Sequence, residues 1–237
     1  MAQASKTQID RLGDRLKRGA FEKADLILLD RYRRSFGSAY ETVVQTIRDA
    51  LGLEPSGRPA KSTNSLIEKL KRESIRLTQM QDIAGCRVVV PDILEQDRVV
   101  GSLLSGMFDD ARVVNRREEP SYGYRAVHII VEISGKTVEV QVRTIFQHIW
   151  AEISEKYADL YGSDIKYGGG VEEIHRVLAT LSGYIATYEN LEDTLGRLEE
   201  SDEVREMLEK MRVLREDLAR ELDEEISRID SEKGEKS

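Results

Sequence analysis

The sequence predicts a mixed α/β (α+β) protein, in which a central β-sheet is flanked by helices that precede and follow it in the chain. Short apolar runs bounded by turn residues occur between about residues 85 and 144, and they number at least four. On both sides of this stretch, apolar residues recur every three or four positions, which is typical of amphipathic helices. No apolar run approaches the roughly 20 residues that cross a bilayer.

Residues 1–54 are predicted to form N-terminal helices. Ile9, Leu12 and Leu16 share one apolar face, and residues 26–32 and 40–51 provide two more. Gly52 ends the last of these helices, and the following stretch, LEPSGRPAKSTN, contains two prolines and is predicted to be a loop.

Residues 55–165 are predicted to form the mixed α/β core. Ser65 and Glu68 have capping-box spacing at the start of a predicted helix over residues 64–77, and Thr144 and Gln147 repeat that spacing before residues 145–161. Between these two helices the pattern predicts strands at 85–90, 111–115, 124–133 and 137–143, and a helix at 94–107.

Residues 171–230 are predicted to form a long amphipathic helical extension beyond a loop at Gly168–Gly170. Its apolar face needs a partner, which is its own domain, another tail helix or a second subunit, so that a homo-oligomer formed through helices stays open. Residues 231–237 are charged and are predicted to be disordered. The apolar positions of the last helix step by three or four: Val204, Leu208, Met211, Leu214, Leu218, Leu222, Ile226 and Ile229.

Charge and cysteine content narrow the function classes. The net charge is −8, but residues 189–237 carry −9 and the remaining chain +1. This acidity argues against non-specific nucleic-acid binding, yet it leaves room for a local basic pocket that holds a polyphosphate. Cys86 is the one cysteine and lies in an apolar strand, so a buried thiol in a reducing cytoplasm is expected. The polar N-terminus predicts a cytoplasmic protein without a membrane partner.

Two neighbouring strands carry polar side chains in alternation. In VEVQVRT, Glu139, Gln141 and Arg143 point to the side opposite the intervening valines. Tyr124 and His128 share a face of the preceding strand, and a short turn at 134–136 would make the two strands a hairpin. Aromatic and hydrogen-bonding groups on a sheet face suit a nucleobase. The alternatives are a solvated face, ordinary packing of Tyr124 and a structural role for His128.

Basic residues cluster before the first strand. Arg58 and Lys61 lie in the loop, and Lys69, Arg72 and Arg76 are expected on one helix face, a pattern suited to phosphates at a helix N-terminus. The alternative is a solvated face with i,i+4 ion pairs, Glu68 with Arg72 and Lys69 with Glu73.

Two acids near these bases suggest a metal ion. Asp82 and Glu139 together with a polyphosphate would suit Mg²⁺, which accepts hard oxygen ligands and few protein contacts. The alternatives are a turn or N-cap role for Asp82 and a salt bridge for Glu139. Arg87 is expected to pair with an acid or a phosphate. His148 and Glu152 are interpreted as a structural pair rather than as metal ligands.

The order of these motifs resembles the synthetase domain of the RelA/SpoT alarmone synthetases. The resemblance covers about residues 55–160 and rests on GRPAKSTNSLIEKL, QDIAGCRVVV, GYRAVH and VEVQVRT…HIWAEI. It implies a nucleotidyltransferase-like mixed sheet and the transfer of the β,γ-pyrophosphate of ATP to the 3′-hydroxyl of GDP or GTP.

The resemblance also implies roles for individual residues. Asp82 and Glu139 would be catalytic and bind Mg²⁺, with the alternative that Glu139 activates the 3′-hydroxyl. Tyr124 would stack on the acceptor guanine, supported by His128, Gln141 and Arg143. The residues expected to bind ATP are Arg58, Lys61, Ser65, Lys69, Arg72 and Arg87.

The sequence departs from the family pattern at three positions. Two residues rather than one separate Arg58 and Lys61, Ala126 replaces a common serine, and Cys86 replaces an aliphatic residue. No His-Asp pair is present, so hydrolase activity is not expected. Two other functions stay open: pyrophosphorylation of an adenine nucleotide or of the 3′ end of tRNA by a toxic relative, and a catalytically silent nucleotide-binding scaffold.

Overall fold

The computed structural model describes residues 4–108, 110–198 and 201–234. Within these ranges it confirms the predicted mixed architecture of a β-sheet with flanking helices. The helices are α1 (Lys6–Arg18), α2 (Lys23–Arg34), α3 (Gly37–Leu51), α4 (Thr63–Arg72), α5 (Ile93–Ser102), α6 (Ile145–Tyr161), α7 (Glu172–Arg197) and α8 (Asp202–Gly234). The strands are β1 (Ser56–Arg58), β2 (Ala84–Val90), β3 (Arg112–Asn115), β4 (Val127–Ile133) and β5 (Lys136–Thr144).

The five strands form one sheet in the order β1-β2-β5-β4-β3. β4 and β5 are neighbours joined by Ser134 and Gly135, so they form the hairpin that the sequence predicts. β1 pairs antiparallel with β2, and Gly57 lies opposite Cys86. A Cβ at Gly57 would lie 2.4 Å from the carbonyl oxygen of Gly85, so this close strand contact requires glycine.

The chain divides into two compact units that do not follow the sequence order. Unit 1 comprises Met1–Val88, Gly101–Val114 and His128–Gln141, and unit 2 comprises Val89–Val100, Asn115–Val127 and Val142–Ser237. The sequence analysis divides the chain into N-terminal, central and C-terminal segments that follow one another. The contacts in the structure distribute the central segment between the two units.

Unit 1 is built on the N-terminal helices. The side chain of Ser5 caps α1 through a capping box with Gln8, and Leu12 and Leu16 on the apolar face are fully buried. α1 packs closely on the 3₁₀ turn Leu77–Gln79, since a Cβ at Gly13 would lie 2.9 Å from the Cβ of Leu77. The N-terminal helices thus form part of the body that carries α4 and β2.

The helix predicted over residues 64–77 is shorter and begins with a different cap. α4 spans Thr63–Arg72, and its N-cap is Ser62 instead of Ser65. The Ser62 hydroxyl accepts a hydrogen bond from the backbone N–H of Ser65 at 3.2 Å. Arg76 lies beyond the helix, so the predicted basic face is limited to Lys69 and Arg72. Serine is a favourable N-cap residue, so the sequence was compatible with a helix that begins after Ser62 or after Ser65.

Unit 2 is built on α6, α7 and α8. The Thr144–Gln147 capping box predicted for α6 is present. The core of this unit contains Phe146, Ile149, Trp150, Leu178 and Ile185. Ala219, Leu222 and Ile226 of α8 pack against the same cluster, so the C-terminal helix folds back on its own unit.

The C-terminal segment departs from the prediction in two respects. It forms two helices, because α7 ends at Arg197 and α8 begins at Asp202. α8 continues to Gly234, four residues into the segment predicted to be disordered, and residues 235–237 of that segment lie outside the described ranges. No helix in the described part of the chain is long and apolar enough to span a membrane.

Candidate functional site

Asp82 lies between two lysines in unit 1. Lys61 Nζ is 2.7 Å from Asp82 Oδ2, and Lys69 Nζ is 3.0 Å from Asp82 Oδ1. The fold positions both lysines, because the Lys61 N–H donates to the carbonyl of Ile83 at 2.6 Å and Lys69 lies in the last turn of α4. Burial alone would raise the pKa of Asp82, but the two ammonium groups outweigh it and lower the pKa below its usual value.

Glu139 is held by two neighbours on the β4–β5 hairpin. His128 Nδ1 lies 2.9 Å from Glu139 Oε1, and Gln141 Nε2 donates to Glu139 Oε2 at 2.7 Å. The valines at 138 and 140 are fully buried, which confirms the predicted alternation along β5. Burial alone would raise the pKa of Glu139, but the hydrogen bond and charge of His128, helped by Gln141, lower it.

The two carboxylates lie within electrostatic reach of each other. The charge of Asp82 raises the pKa of Glu139, although the other contacts of Glu139 lower it more. Gly85 brings β2 against β5 here, since a Cβ on it would lie 3.1 Å from the carbonyl oxygen of Glu139. Asp82, Glu139 and the two lysines therefore lie in one part of unit 1. Among the described residues, no group of three or more His, Cys, Asp or Glu side chains forms a metal site.

The remaining residues predicted to bind ATP are less tightly grouped. Arg58 is exposed on β1, and Arg87 lies on β2 in register with Ser56. Ser65 takes part in the α4 cap, with its hydroxyl 2.8 Å from that of Ser62. Arg72 Nη2 lies 3.1 Å from Glu73, so part of its charge is already paired.

Unit 2 contains a second group of predicted residues, Tyr124 and Arg143. Arg143 Nη2 donates to the Tyr124 hydroxyl at 3.1 Å, and its guanidinium carbon lies 5.1 Å from the centre of the Tyr124 ring. The ring also contacts Trp150, with centroids 6.4 Å apart. The predicted acceptor set is thus divided, because His128 and Gln141 belong to unit 1.

The predicted strand 124–133 is wrong at its start, because β4 begins at Val127. Tyr124 instead closes a tight turn with Ser121, in which Tyr122 and Gly123 have φ angles of 52° and 89°. A Cβ at Gly123 would lie 2.9 Å from Trp150, so glycine is needed where the turn meets α6. Tyr124 pairs with Ser121 in this turn and lies outside β4, so it does not share a β4 face with His128.

Sequence reasoning missed Glu189, which lies in the acidic C-terminal segment but is buried. Its carboxylate accepts hydrogen bonds from the Thr144 hydroxyl and from Gln147 Nε2, and the second of these measures 3.1 Å to Oε2. Burial raises the pKa of Glu189. A signal was available, because Glu189 follows Ser182 and Ile185 at helical spacing on the buried face of α7.

Two smaller expectations agree with the structure. Cys86 is a free, buried cysteine, and burial raises the pKa of its thiol to about 12, so it is not a nucleophile at neutral pH. His148 Nδ1 lies 3.7 Å from Glu152 on the same helix, which fits the interpretation as a structural pair.

Comparison with known proteins finds relatives of the central part of the chain. A protein-family model described as "Region found in RelA / SpoT proteins" matches residues 57–162. An uncharacterised protein of Mycobacterium tuberculosis is 36% identical over 118 residues, which are 48% of this chain and 43% of that protein. A GTP pyrophosphokinase of Bacillus subtilis is 32% identical over 128 residues, 48% of this chain and 57% of the relative. The chain thus spans about half the length of these relatives.

Solved structures support the same fold. The crystal structure of the small alarmone synthetase 1 from Bacillus subtilis is 26% identical, with a TM-score of 0.53, and covers 73% of this chain and 100% of its own. The same synthetase bound to its product pppGpp superposes with a TM-score of 0.57 at 24% identity, over 76% of this chain and 100% of its own. The five-stranded sheet with flanking helices is therefore the fold of these synthetases.

Proposed function

We propose that this chain, whose residues 57–162 match the RelA/SpoT family model, is a pyrophosphokinase that transfers the β,γ-pyrophosphate of ATP to the 3′-hydroxyl of GDP or GTP. The observation that carries the proposal is the pair of ionised carboxylates, Asp82 and Glu139, beside Lys61 and Lys69 in unit 1. Pyrophosphoryl transfer depends on charge neutralisation and in-line positioning. The two lysines, together with a cation on the two acids, would supply the charge neutralisation.

Lys61 and Lys69 are assigned to the phosphates of ATP. In the structure each ammonium group is paired with Asp82, which keeps the two ammonium groups close together. A triphosphate carries more negative charge than one carboxylate, so it competes for these ammonium groups when it binds. Arg58, Ser65, Arg72 and Arg87 are assigned supporting positions around the ATP.

Asp82 and Glu139 are assigned to Mg²⁺. They fit this ion because both are hard oxygen donors, both have a lowered pKa, and the charge of Asp82 opposes ionisation of Glu139, a repulsion that a shared cation relieves. Two protein carboxylates suffice, since Mg²⁺ usually takes its other ligands from water and substrate phosphates. When bound, the ion neutralises charge that develops on the transferred phosphates.

Tyr124 and Arg143, which both belong to unit 2, are assigned to the acceptor nucleotide. Tyr124 presents an aromatic ring for the guanine, and Arg143, which lies on that ring, provides positive charge near it. His128 and Gln141 hold the Glu139 carboxylate. In the alternative in which Glu139 is a base and not a metal ligand, it would receive the proton of the 3′-hydroxyl.

An acceptor screen tests this function. Purified chain is incubated with Mg²⁺ and γ-labelled ATP and with GDP, GTP, AMP or tRNA, and the labelled products are separated. We expect label on GDP or GTP and production of AMP. If label is found only on AMP or on RNA, the acceptor is that molecule and the proposed guanine nucleotide is wrong.

The variant Glu139→Gln distinguishes an enzyme from a silent scaffold. It keeps the shape of the side chain and one acceptor oxygen but removes its charge, so we expect a folded protein without turnover. Glu132→Gln, an exposed acid on β4, is the matched control and should retain activity. Unchanged turnover in Glu139→Gln would refute the assignment of this residue.

A further inference from the structure

Unit 1 contains a second cavity, which involves none of the residues assigned to ATP, Mg²⁺ or the acceptor. Its volume is about 770 Å³, a size typical of small-molecule sites. Helices α1 and α2, the segment Thr78–Met80 and the β4–β5 turn form its walls. Ile9, Phe36 and Met80 give it a buried apolar floor.

Three cations line this cavity: Lys6, Arg31 and Lys136. Within the described ranges, none of the three side chains has an ion pair or hydrogen bond with another residue. The lining includes one acid, Glu132, which is exposed. The nearby carboxylate of Asp10 already accepts the Thr78 N–H at 3.2 Å and the Thr78 hydroxyl at 2.7 Å. The excess charge of the cavity wall is therefore positive.

Lys136 is the most unusual of these cations. Its ammonium nitrogen lies 4.9 Å from the ring centre of Tyr32 and 4.7 Å from that of Phe36. The two rings hold the ammonium group in place, but they provide no negative charge. Burial lowers the pKa of Lys136, which means that the group has lost hydration without gaining an anion. An anionic ligand would compensate this loss.

We propose that this cavity binds an organic phosphate, with the phosphate on Lys136, Arg31 and Lys6 and the organic part on the apolar floor. Three unpaired cations favour a multiply charged anion, and the floor of Ile9, Phe36 and Met80 favours a ligand that also has apolar surface. The cavity adjoins the acids of the candidate site along the chain, since Met80 precedes Asp82 by two residues and Lys136 precedes Glu139 by three. This binding does not depend on the proposed pyrophosphokinase activity.

Calorimetric titration of the full chain with phenyl phosphate tests the proposal. The measurements use the variant Lys61→Ala/Lys69→Ala, in which the assigned ATP phosphate site is disabled, so that binding there is not mistaken for binding in the cavity. We expect one binding event, weaker for inorganic phosphate, which has no apolar part. Adding Lys136→Ala or Arg31→Gln should weaken it at least about tenfold, as expected for loss of one charge-assisted contact. Lys23→Ala, an exposed lysine of α2 away from the cavity, should not change it.

Three outcomes would overturn the proposal: no binding of either probe, binding unaffected by both Lys136→Ala and Arg31→Gln, or equal binding of the two probes. Arg31 is exposed, so Arg31→Gln tests the site even if Lys136→Ala disturbs folding. Citrate, which carries three carboxylates and no phosphate, distinguishes an organic phosphate from a polycarboxylate. Loss of pyrophosphokinase activity would not alter these results, so the two proposals fail independently.

Discussion

The Lys61 ammonium group lies 2.7 Å from the Asp82 carboxylate across 21 residues of sequence, and Lys69 occupies the other oxygen of the same carboxylate at 3.0 Å. A predicted phosphate-binding loop and a predicted metal ligand are thus one ion-paired group. The lysines keep Asp82 ionised in a buried position, and Asp82 keeps the lysines together.

Removal of either lysine is expected to weaken ATP use. Lys61→Ala or Lys69→Ala removes a charge-assisted contact, typically about 1.5–3 kcal/mol, so kcat/KM for ATP should fall roughly 10–100-fold. The pKa of Asp82 should rise in both variants, because burial remains and an opposing charge is lost. Steady-state kinetics measures the first effect, and NMR titration of the Asp82 carboxyl measures the second. Lys71→Ala, an exposed lysine of the same helix, is the control, and an equal loss there would contradict the assignment.

Tyr124 is expected to act through its ring. Tyr124→Phe removes the hydrogen bond with Arg143 but keeps the aromatic face, whereas Tyr124→Ala removes both. Stacking of a base on an aromatic ring is worth about 1–3 kcal/mol, so Tyr124→Ala should raise KM for the acceptor roughly 5–150-fold and leave KM for ATP unchanged. If Tyr124→Phe is as impaired as Tyr124→Ala, the hydroxyl and not the ring is the important group.

Glu189 is expected to make the stability of the chain depend on pH. Its folded-state pKa is raised above the unfolded value, so its contribution to stability is greatest below the unfolded pKa and falls as the pH rises through the folded pKa. Glu189→Gln removes this titration. The free energy of unfolding of the variant, relative to that of the native sequence, should therefore increase from pH 4 to pH 8. Urea unfolding at a series of pH values measures the difference.

A second variant at this position tests the hydrogen bonds. Glu189→Ala leaves Thr144 and Gln147 without their buried acceptor, and it should destabilise the chain by about 1–3 kcal/mol at pH 4. A pH-independent difference for Glu189→Gln would show that Glu189 does not titrate in this range.

Glycine is expected to be essential where β1 meets β2. A methyl group at Gly57 would lie 2.4 Å from the Gly85 carbonyl and 2.6 Å from the Cys86 Cα, both of them backbone atoms that cannot move separately. Gly57→Ala should therefore destabilise the chain by about 1–3 kcal/mol, as overpacking typically does. Gly37→Ala has no atom within 4 Å of the added methyl group and serves as the control in the same denaturation experiment. Equal stability of the two variants would contradict the observed strand contact.

The sequence predicted the parts of this chain in which local pattern and tertiary structure agree. Strand β5 follows its alternation of valines and polar residues, and α6 begins at the Thr144 capping box. Both features depend on interactions between residues close in the chain, which is what periodicity and capping patterns report.

The features that the sequence did not predict depend on long-range contacts or on backbone geometry. Glu189 is buried against Thr144, a residue 45 positions away that no local pattern connects to it. Tyr124 lies outside β4 and pairs instead with Ser121 in a turn with left-handed residues, which an aromatic run does not indicate. The division of the core into two units likewise results from contacts between distant segments.

The central claim is that Asp82 and Glu139 hold one divalent cation together with ATP. Its most direct test is Mn²⁺ binding, followed by electron paramagnetic resonance with a non-hydrolysable ATP analogue, for Asp82→Asn, Glu139→Gln and the double variant. We expect each single variant to weaken Mn²⁺ binding by at least about tenfold, or about 1.4 kcal/mol. The double variant should bind Mn²⁺ only slightly more weakly than the single variant with the lower affinity, because that single variant has already lost the shared ion. Unchanged Mn²⁺ affinity, or effects of the two substitutions that simply add, would contradict the claim.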